Sequence, residues 1–279
     1  MATVATDLSW TDDIGASHAR SGRPARIVSL VPSITELLFD LGLGEQVVGR
    51  TAYCVHPADA LANVPSVGGT KKIRMDRLLS LEPSHVMVNV DENPRDLSDE
   101  IAARGIEVIV THPVKPADNR RLFELLGGLF DRESEAACLS VRFEDVYGAT
   151  RAALAGQRHR SALYLIWKDP WMTVSRDTYI ANMLALANWS CAGHRDELRY
   201  PETRLDPDAL QGVDLVLFST EPYQFTQGDA DDFNAAREGN APEARVIDGE
   251  MISWYGSRAI AGLDYLRTFA SGAAGEGSK

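Results

Sequence analysis

The stretch Arg26 to Pro57, RIVSLVPSITELLFDLGLGEQVVGRTAYCVHP, constrains the fold of this chain more than any other. The apolar, β-branched run Ile27 to Val31 reads as a buried strand and stops at Pro32. Ser33 followed three residues later by Glu36 predicts a capping box at the start of a helix over 33–41. Gly42 and Gly44 end that helix, and 46–50 reads as a second strand. Strand, tight turn, helix and strand make a compact α/β unit. Ligands of such units sit beyond the carboxyl end of the strand, near the helix N-terminus. That puts Pro32, Ser33 and the segment Thr51 to His56 on a candidate binding rim.

The alternation continues. Strands are predicted at 26–31, 46–50, 85–90 and 106–110, with helices at 33–41, 75–82, 95–104 and 118–130, in a first lobe over 26–130. Alternating β and α elements imply a parallel sheet covered on both faces. Residues 133–156 read as one long helix, with Leu139, Phe143, Val146, Thr150 and Ala153 forming one stripe and Gly156 as a stop. At 1.5 Å per residue it is roughly 35 Å long. That length suits a bridge over 131–157 between two α/β halves, or else an ordinary packing helix. A second lobe over 158–270 has strands at 161–167, 213–218 and 244–247, and helices at 178–188, 229–238 and 257–270. DRLLSLEPSHVMVN and DPDALQGVDLVLFS repeat the same helix-then-strand order. Residues 1–25 and 271–279 read as a disordered arm and tail, rich in small and polar residues.

The same segments resemble the helical-backbone class of solute-binding proteins of ABC importers, in particular the cobalamin-type periplasmic receptors. The resemblance is carried by Leu30-Val31-Pro32-Ser33-Ile34-Thr35-Glu36, by Val48-Gly49, and by Tyr53 and Pro57. Val64 to Asn89 and Gly105 to Val110 also carry it, and Leu163 to Leu184, Val213 to Ser219 and Asp248 to Leu263 do so more weakly. It implies two Rossmann-like α/β lobes with parallel sheets, joined by one long bridging α-helix, with the ligand between the lobes. The implied ligand is a corrinoid such as cobalamin, or another metal chelate, and no further cofactor is required. The implied partner is an importer permease. Exported members grip its arginines with one acidic residue per lobe; Asp76 matches the first, and Asp206 or Asp208 the second. Members of the cobalamin type place tryptophans on the cleft loops of the first lobe. Here Thr70 and Asn89 stand at those positions, with Lys71 and Lys72 alongside, which favours a ligand carrying carboxylates or phosphate.

Aromatics gather near strand ends of the second lobe: Trp167 and Trp171 in WKDPW, Tyr223 and Phe225 after Ser219, Trp254 and Tyr255 after Ile247. With Tyr53 they form flat walls that suit a large conjugated ligand, if they are not core or hinge aromatics. Ser33, Thr51, Thr70, Lys71, Asn89 and Glu250 complete the expected ligand contacts. His56 shares a rim loop with Cys54, and either could ligate a metal centre; His56 is the candidate ligand. No histidine pair has metal-binding spacing, and no nucleophile elbow, P-loop or dinucleotide fingerprint occurs. The primary reading is therefore a monomeric, non-catalytic binding protein. The alternative is a cytoplasmic enzyme or cofactor-handling protein on the same scaffold.

The net charge of −12 over 279 residues argues against a nucleic-acid partner and against docking on anionic lipid. No run of about 18 apolar residues predicts membrane insertion. Cys54, Cys138 and Cys191 form no C-x-x-C pair of the zinc or redox kind; the N-terminal segment lacks an apolar export signal, and three widely spaced cysteines, odd in number, fit a reducing compartment. Both points predict a cytoplasmic location, or a periplasmic one if the natural start is longer.

Overall fold

The computed structural model describes residues 9–22, 24–236, 239 and 241–275. The chain divides into two compact units. The first comprises 1–113, 117–142 and 255–258, and the second 114–116, 143–254 and 259–279.

The first unit begins with a short antiparallel hairpin, β1 (Ser9–Thr11) and β2 (Ser17–Ala19), in register Trp10 opposite His18. This corrects the disordered arm expected from composition; residues 1–8 and Arg23 lie outside the described residues. The physical reason is Asp12, fully buried in the turn. Its carboxylate accepts the N–H groups of Ile14 and Ala16 and, from across the unit, that of Val110. Buried His18 places one ring nitrogen 3.1 Å from Asp12 and the other 2.5 Å from Glu107. Trp10 lies so close to Gly128 that a Cβ there would strike the indole.

Next come β3 (Ile27–Ser29), α1 (Pro32–Asp40), β4 (Val47–Arg50), α2 (Ala58–Leu61), α3 (Met75–Ser80), β5 (His85–Asn89), α4 (Arg95–Ala102), β6 (Glu107–Thr111) and α5 (Asn119–Leu129). The strands form a parallel sheet in the order β4-β3-β5-β6, with Ile27 opposite His85 and His85 opposite Glu107. All five residues of β5 are buried, as a strand covered on both faces requires. Val28, Leu30, Val67, Leu78, Val86, Val88 and Ile101 fill one face. Each such side chain contributes about 1.5–3 kcal/mol through burial.

The expected capping box does not form. Val31 is the N-cap of α1, Pro32 occupies the first helical position, and no side chain caps the helix. Pro32 fixes φ for the first turn and needs no N–H partner, so the helix starts without a cap. Glu36 instead forms a two-pronged ion pair with Arg258 at 2.8 Å.

The long helix α6 (Glu133–Leu154) starts in the first unit and continues into the second at Phe143. Leu139, Phe143 and Thr150 are buried as the stripe predicts, but the last buried position is Leu154, and Ala153 is exposed. Thr150 is a polar member of an apolar stripe because its hydroxyl donates to the Leu263 carbonyl at 3.2 Å.

The second unit continues with β7 (Arg160–Leu165), α7 (Tyr179–Ala185), β8 (Trp189–Cys191), β9 (Leu215–Ser219), α8 (Gln227–Ala235), β10 (Glu243–Ile247), α9 (Gly249–Ser253) and α10 (Arg258–Gly275). Its parallel sheet runs β10-β9-β7-β8. Numbered within each unit, both sheets therefore have the order second, first, third, fourth. Leu163, Leu165, Val216, Phe218, Phe225 and Ala244 form the core cluster here. Within the expected tail, Ser271 to Gly275 belong to α10, and 276–279 lie outside the described residues. The segment Tyr255–Arg258, expected in the second lobe, is counted with the first unit.

Candidate functional site

A sheet of this order has a switch point where the chain leaves its first strand in one direction and returns in the other. A crevice for ligands opens there, at the strand carboxyl ends. In the first unit it lies between β3 and β5. The loops around it are built on buried polar side chains. Asn93 donates to the carbonyls of Leu30 and Thr70, at 3.3 and 2.8 Å, and accepts the N–H of Asn89. The Thr111 hydroxyl donates to the Val88 carbonyl. Thr51 and Cys54 are fully buried beneath the rim, and Thr35 and Thr51 place their hydroxyls 3.0 and 3.2 Å from the Cys54 sulfur. Burial pushes the Cys54 thiol above its usual range, with those hydroxyls opposing the shift.

Above this polar floor the rim exposes apolar groups. Tyr53 is 61% exposed, Val55 47% and Val90 46%. A tight turn carries Gly69, Thr70, Lys71 and Lys72, closed by the Gly69 N–H to the Lys72 carbonyl at 2.9 Å. Gly68 enters it at φ +127°, where a Cβ would strike the Lys72 carbonyl at 2.7 Å. A Cβ on Gly69 would sit 3.4 Å from the Tyr53 ring, so that ring rests against the turn.

Tyr255 is buried within the first unit, its hydroxyl donating to Glu92 at 3.0 Å. Burial and the neighbouring carboxylate push that phenol well above its usual range. Next to it, the Gly256 N–H donates to the Asn119 side chain at 2.6 Å. Burial also raises the Glu36 carboxyl, and Arg258 pulls it back.

In the second unit the switch point lies between β7 and β9, and its rim is aromatic. Trp167, 42% exposed, meets Tyr223 edge-on with ring centres 5.6 Å apart. Trp171 stacks on Phe225 at 5.9 Å and meets Phe218 edge-on. Lys168 lies over the Trp171 ring and within 3.5 Å of Asp229. Trp254 is buried and donates its indole N–H to Glu221 at 2.7 Å. The Ser219 hydroxyl donates to the Glu221 carbonyl and lies 2.8 Å from the Tyr164 hydroxyl.

The structure thus sorts the expected contacts by exposure. Tyr53, Lys71 and Trp167 are exposed; Thr70, Trp171, Tyr223 and Glu250 are partly exposed; Ser33, Thr51, Asn89, Trp254 and Tyr255 are buried. His56 is half-buried, and no group of three or more metal-ligating side chains occurs among the described residues. Asp76 is exposed in the first turn of α3 and Asp208 is exposed, whereas Asp206 pairs with Arg204 and accepts the Ala209 N–H. Sequence reasoning placed Val55 on the rim segment and missed Val90, Glu92 and Asn93. The D-E-N-P run after β5 was the available signal for the last two, since Asn and Asp close turns with their own side chains. A cavity of about 300 Å³ lies away from the rim, at the edge strand β8, lined by Arg176, Asn182, Ser190 and Cys191 among others.

Comparison with known proteins places these features. Residues 27–196 match the family model described as periplasmic binding protein. A vitamin B12-binding protein of Photorhabdus laumondii is 21% identical over 73% of this chain and 74% of its own length. A vitamin B12-binding protein of Yersinia pestis is 34% identical, over 32% of this chain and 31% of its own length. Among solved structures, the periplasmic vitamin B12-binding protein BtuF of Vibrio cholerae shares the fold with a TM-score of 0.76. It is 16% identical, over 90% of this chain and 98% of that one. The periplasmic heme-binding protein BhuT, in complex with two hemes, follows with a TM-score of 0.75 at 21% identity, over 89% and 98% of the two chains.

Proposed function

The chain belongs to the periplasmic binding protein family, and on that premise we propose that it is a non-catalytic receptor for a planar metal chelate, a corrinoid or a porphyrin. The observation that carries this reading is where apolar surface is left exposed. Of eight exposed large hydrophobics among the described residues, Tyr53, Val55, Val90 and Trp167 stand on loops at strand carboxyl ends. In each unit this apolar exposure lies on loops at the carboxyl ends of the strands, where such sheets bind ligands. The relatives named for vitamin B12 and the structures named for heme support the same ligand class.

In this reading Tyr53, Thr70 and Lys71 are the candidate ligand contacts of the first unit, and Trp167, Trp171, Tyr223 and Glu250 those of the second. Ser33, Thr51, Asn89, Trp254 and Tyr255 hold the loops beneath it. His56 would be the residue to ligate the metal. Asp76 and Asp208 are the proposed docking points for an importer permease, and the receptor acts as a monomer. The cytoplasmic expectation gains no support from a family named for the periplasm, and neither does the enzyme alternative. We place the protein in the periplasm. No described helix is long and apolar enough to cross a membrane.

Absorbance titration with cyanocobalamin, dicyanocobinamide and haemin tests the proposal. At least one should bind below about 100 μM, which is roughly 5.5 kcal/mol. Tyr53→Ala should weaken that binding at least fivefold while changing stability by less than about 0.5 kcal/mol, as for an exposed side chain. Absence of binding by all three would remove the reading.

A further inference from the structure

We infer that Lys71 and Lys72 are specificity-determining positions that select a ligand whose planar body carries peripheral anionic groups, carboxylate or phosphate. The inference rests on the metal-chelate reading above and narrows it. It starts from the backbone. The turn holding both lysines is fixed at several points. The Ala52 N–H donates to the Gly68 carbonyl at 2.7 Å, the Arg74 N–H to the Val67 carbonyl at 2.7 Å, and buried Asn93 to the Thr70 carbonyl at 2.8 Å. A turn fixed in this way loses little further backbone freedom when a ligand arrives.

On that fixed turn two adjacent ammonium groups are exposed, and no carboxylate of the described residues forms an ion pair with either. Several other cations of this acidic chain do find acids: Arg20 pairs with Asp131 and Glu133, Arg258 with Glu36, and Lys168 with Asp229. In a chain with 40 acidic against 28 basic residues, two adjacent lysines held on one fixed turn make a local positive field. The field lies beside the exposed Tyr53 ring, which rests on the same turn. A flat ring stacked on Tyr53 would bring its edge substituents to the ammonium groups. The ring would also shield those pairs from water, which strengthens them. Neutral amide substituents at the same edge gain nothing comparable.

Two matched probe pairs test the inference on the full-length protein. Haemin and haemin dimethyl ester share a ring and differ in carboxylate charge. Cyanocobalamin and dicyanocobinamide differ in a nucleotide loop that contains the phosphate. Each probe is titrated against the unmodified protein and the double variant Lys71→Gln/Lys72→Gln, at low and at physiological salt. For at least one pair the anionic member should bind about tenfold tighter than its neutral counterpart, as two charge-assisted contacts warrant. That preference should fall to within about twofold in the variant and shrink with salt, while the unfolding midpoint stays unchanged. Whichever pair shows it identifies carboxylate or phosphate as the anion. Equal affinities within both pairs, or a preference that survives the double substitution, would overturn the inference and leave the chelate reading standing. Failure of all four probes to bind the unmodified protein would overturn the chelate reading itself, and the inference with it.

Discussion

The two units share one strand order yet finish their rims in opposite ways. In the first, none of α1 to α5 is capped by a side chain. The rim residues Tyr53, Val55 and Val90 expose apolar surface over a floor of buried Thr and Asn. In the second, Thr178 caps α7 and Asp248 caps α9, while Asp229 in α8 reaches back to the Thr226 N–H at 2.9 Å. There the rim aromatics Trp171, Tyr223 and Phe225 pack on one another. An aromatic beside a strand end can be a free surface or a piece of the core, and topology alone does not say which. The difference lies in what packs against it: Phe225 against Trp171 and Tyr223, and Glu221 against the Trp254 indole.

That contrast breaks most easily at Phe225, which is 2% exposed and touches Trp171, Phe218 and Tyr223. Phe225→Ala should cost about 3–5 kcal/mol in urea unfolding, because it opens a cavity under the second rim. A cost as small as that of an exposed residue would show that the stack is a surface feature, and the contrast would collapse.

The next effect sits in the first unit. The Glu36 and Arg258 side chains are 19% and 14% exposed, between the buried and surface regimes. Arg258→Met should therefore cost about 2 kcal/mol at neutral pH. The pH dependence has a definite sign. Burial raises the Glu36 carboxyl above 4.5 and Arg258 opposes the rise. A raised carboxyl favours the fold in acid, and that contribution is lost as pH climbs through the raised value. Removing Arg258 raises it further, so the variant should lose more stability than the parent as pH rises from 4.5 to 7. Parallel unfolding midpoints across that range would contradict the assignment.

The smallest effect is at Asp229. Its bond to the Thr226 N–H, followed by the Thr226 hydroxyl and Lys168, holds its carboxyl below 3.8. Asp229→Ala should cost about 1 kcal/mol, the usual loss of a capping interaction. The depressed group contributes fully above pH 3.8, so the gap between parent and variant should be constant near neutrality and close as pH falls through the lowered value. Thermal melts at pH 7 and pH 3 would measure it.

Much of the fold was legible because βα alternation leaves strong marks. Ile27 to Val31, His85 to Val90 and Val213 to Phe218 are apolar runs bounded by breakers, and parallel strands covered on both faces have that composition. The hairpin at Ser9–Ala19 was not legible, since its order comes from distant partners: Val110 for Asp12, Glu107 for His18 and Gly128 for Trp10. Strand β8 was missed because three residues carry no period. The candidate site was legible in position and less so in detail. Tyr53 and Trp254 look alike in sequence, but Glu221 holds the Trp254 indole while Tyr53 stays open. Glu36 has the spacing of a capping residue, yet a guanidinium 222 positions away claims it.

The N-terminal hairpin has a consequence for anyone trimming this chain. Strand β6 is the outermost of its sheet, and its outer side is engaged by Asp12 on the Val110 N–H, by the Asp13 N–H on the Val110 carbonyl, and by Asp13 on the His112 N–H. Deleting residues 1–22 as dispensable would leave those backbone groups bare, along with an imprint where Trp10 had lain on α5. An open strand flank of that kind recruits whatever strand it meets first, most often that of a sister molecule. Such a truncated protein should elute as dimers and larger species, with the first unit's sheet continuing from one molecule into the next.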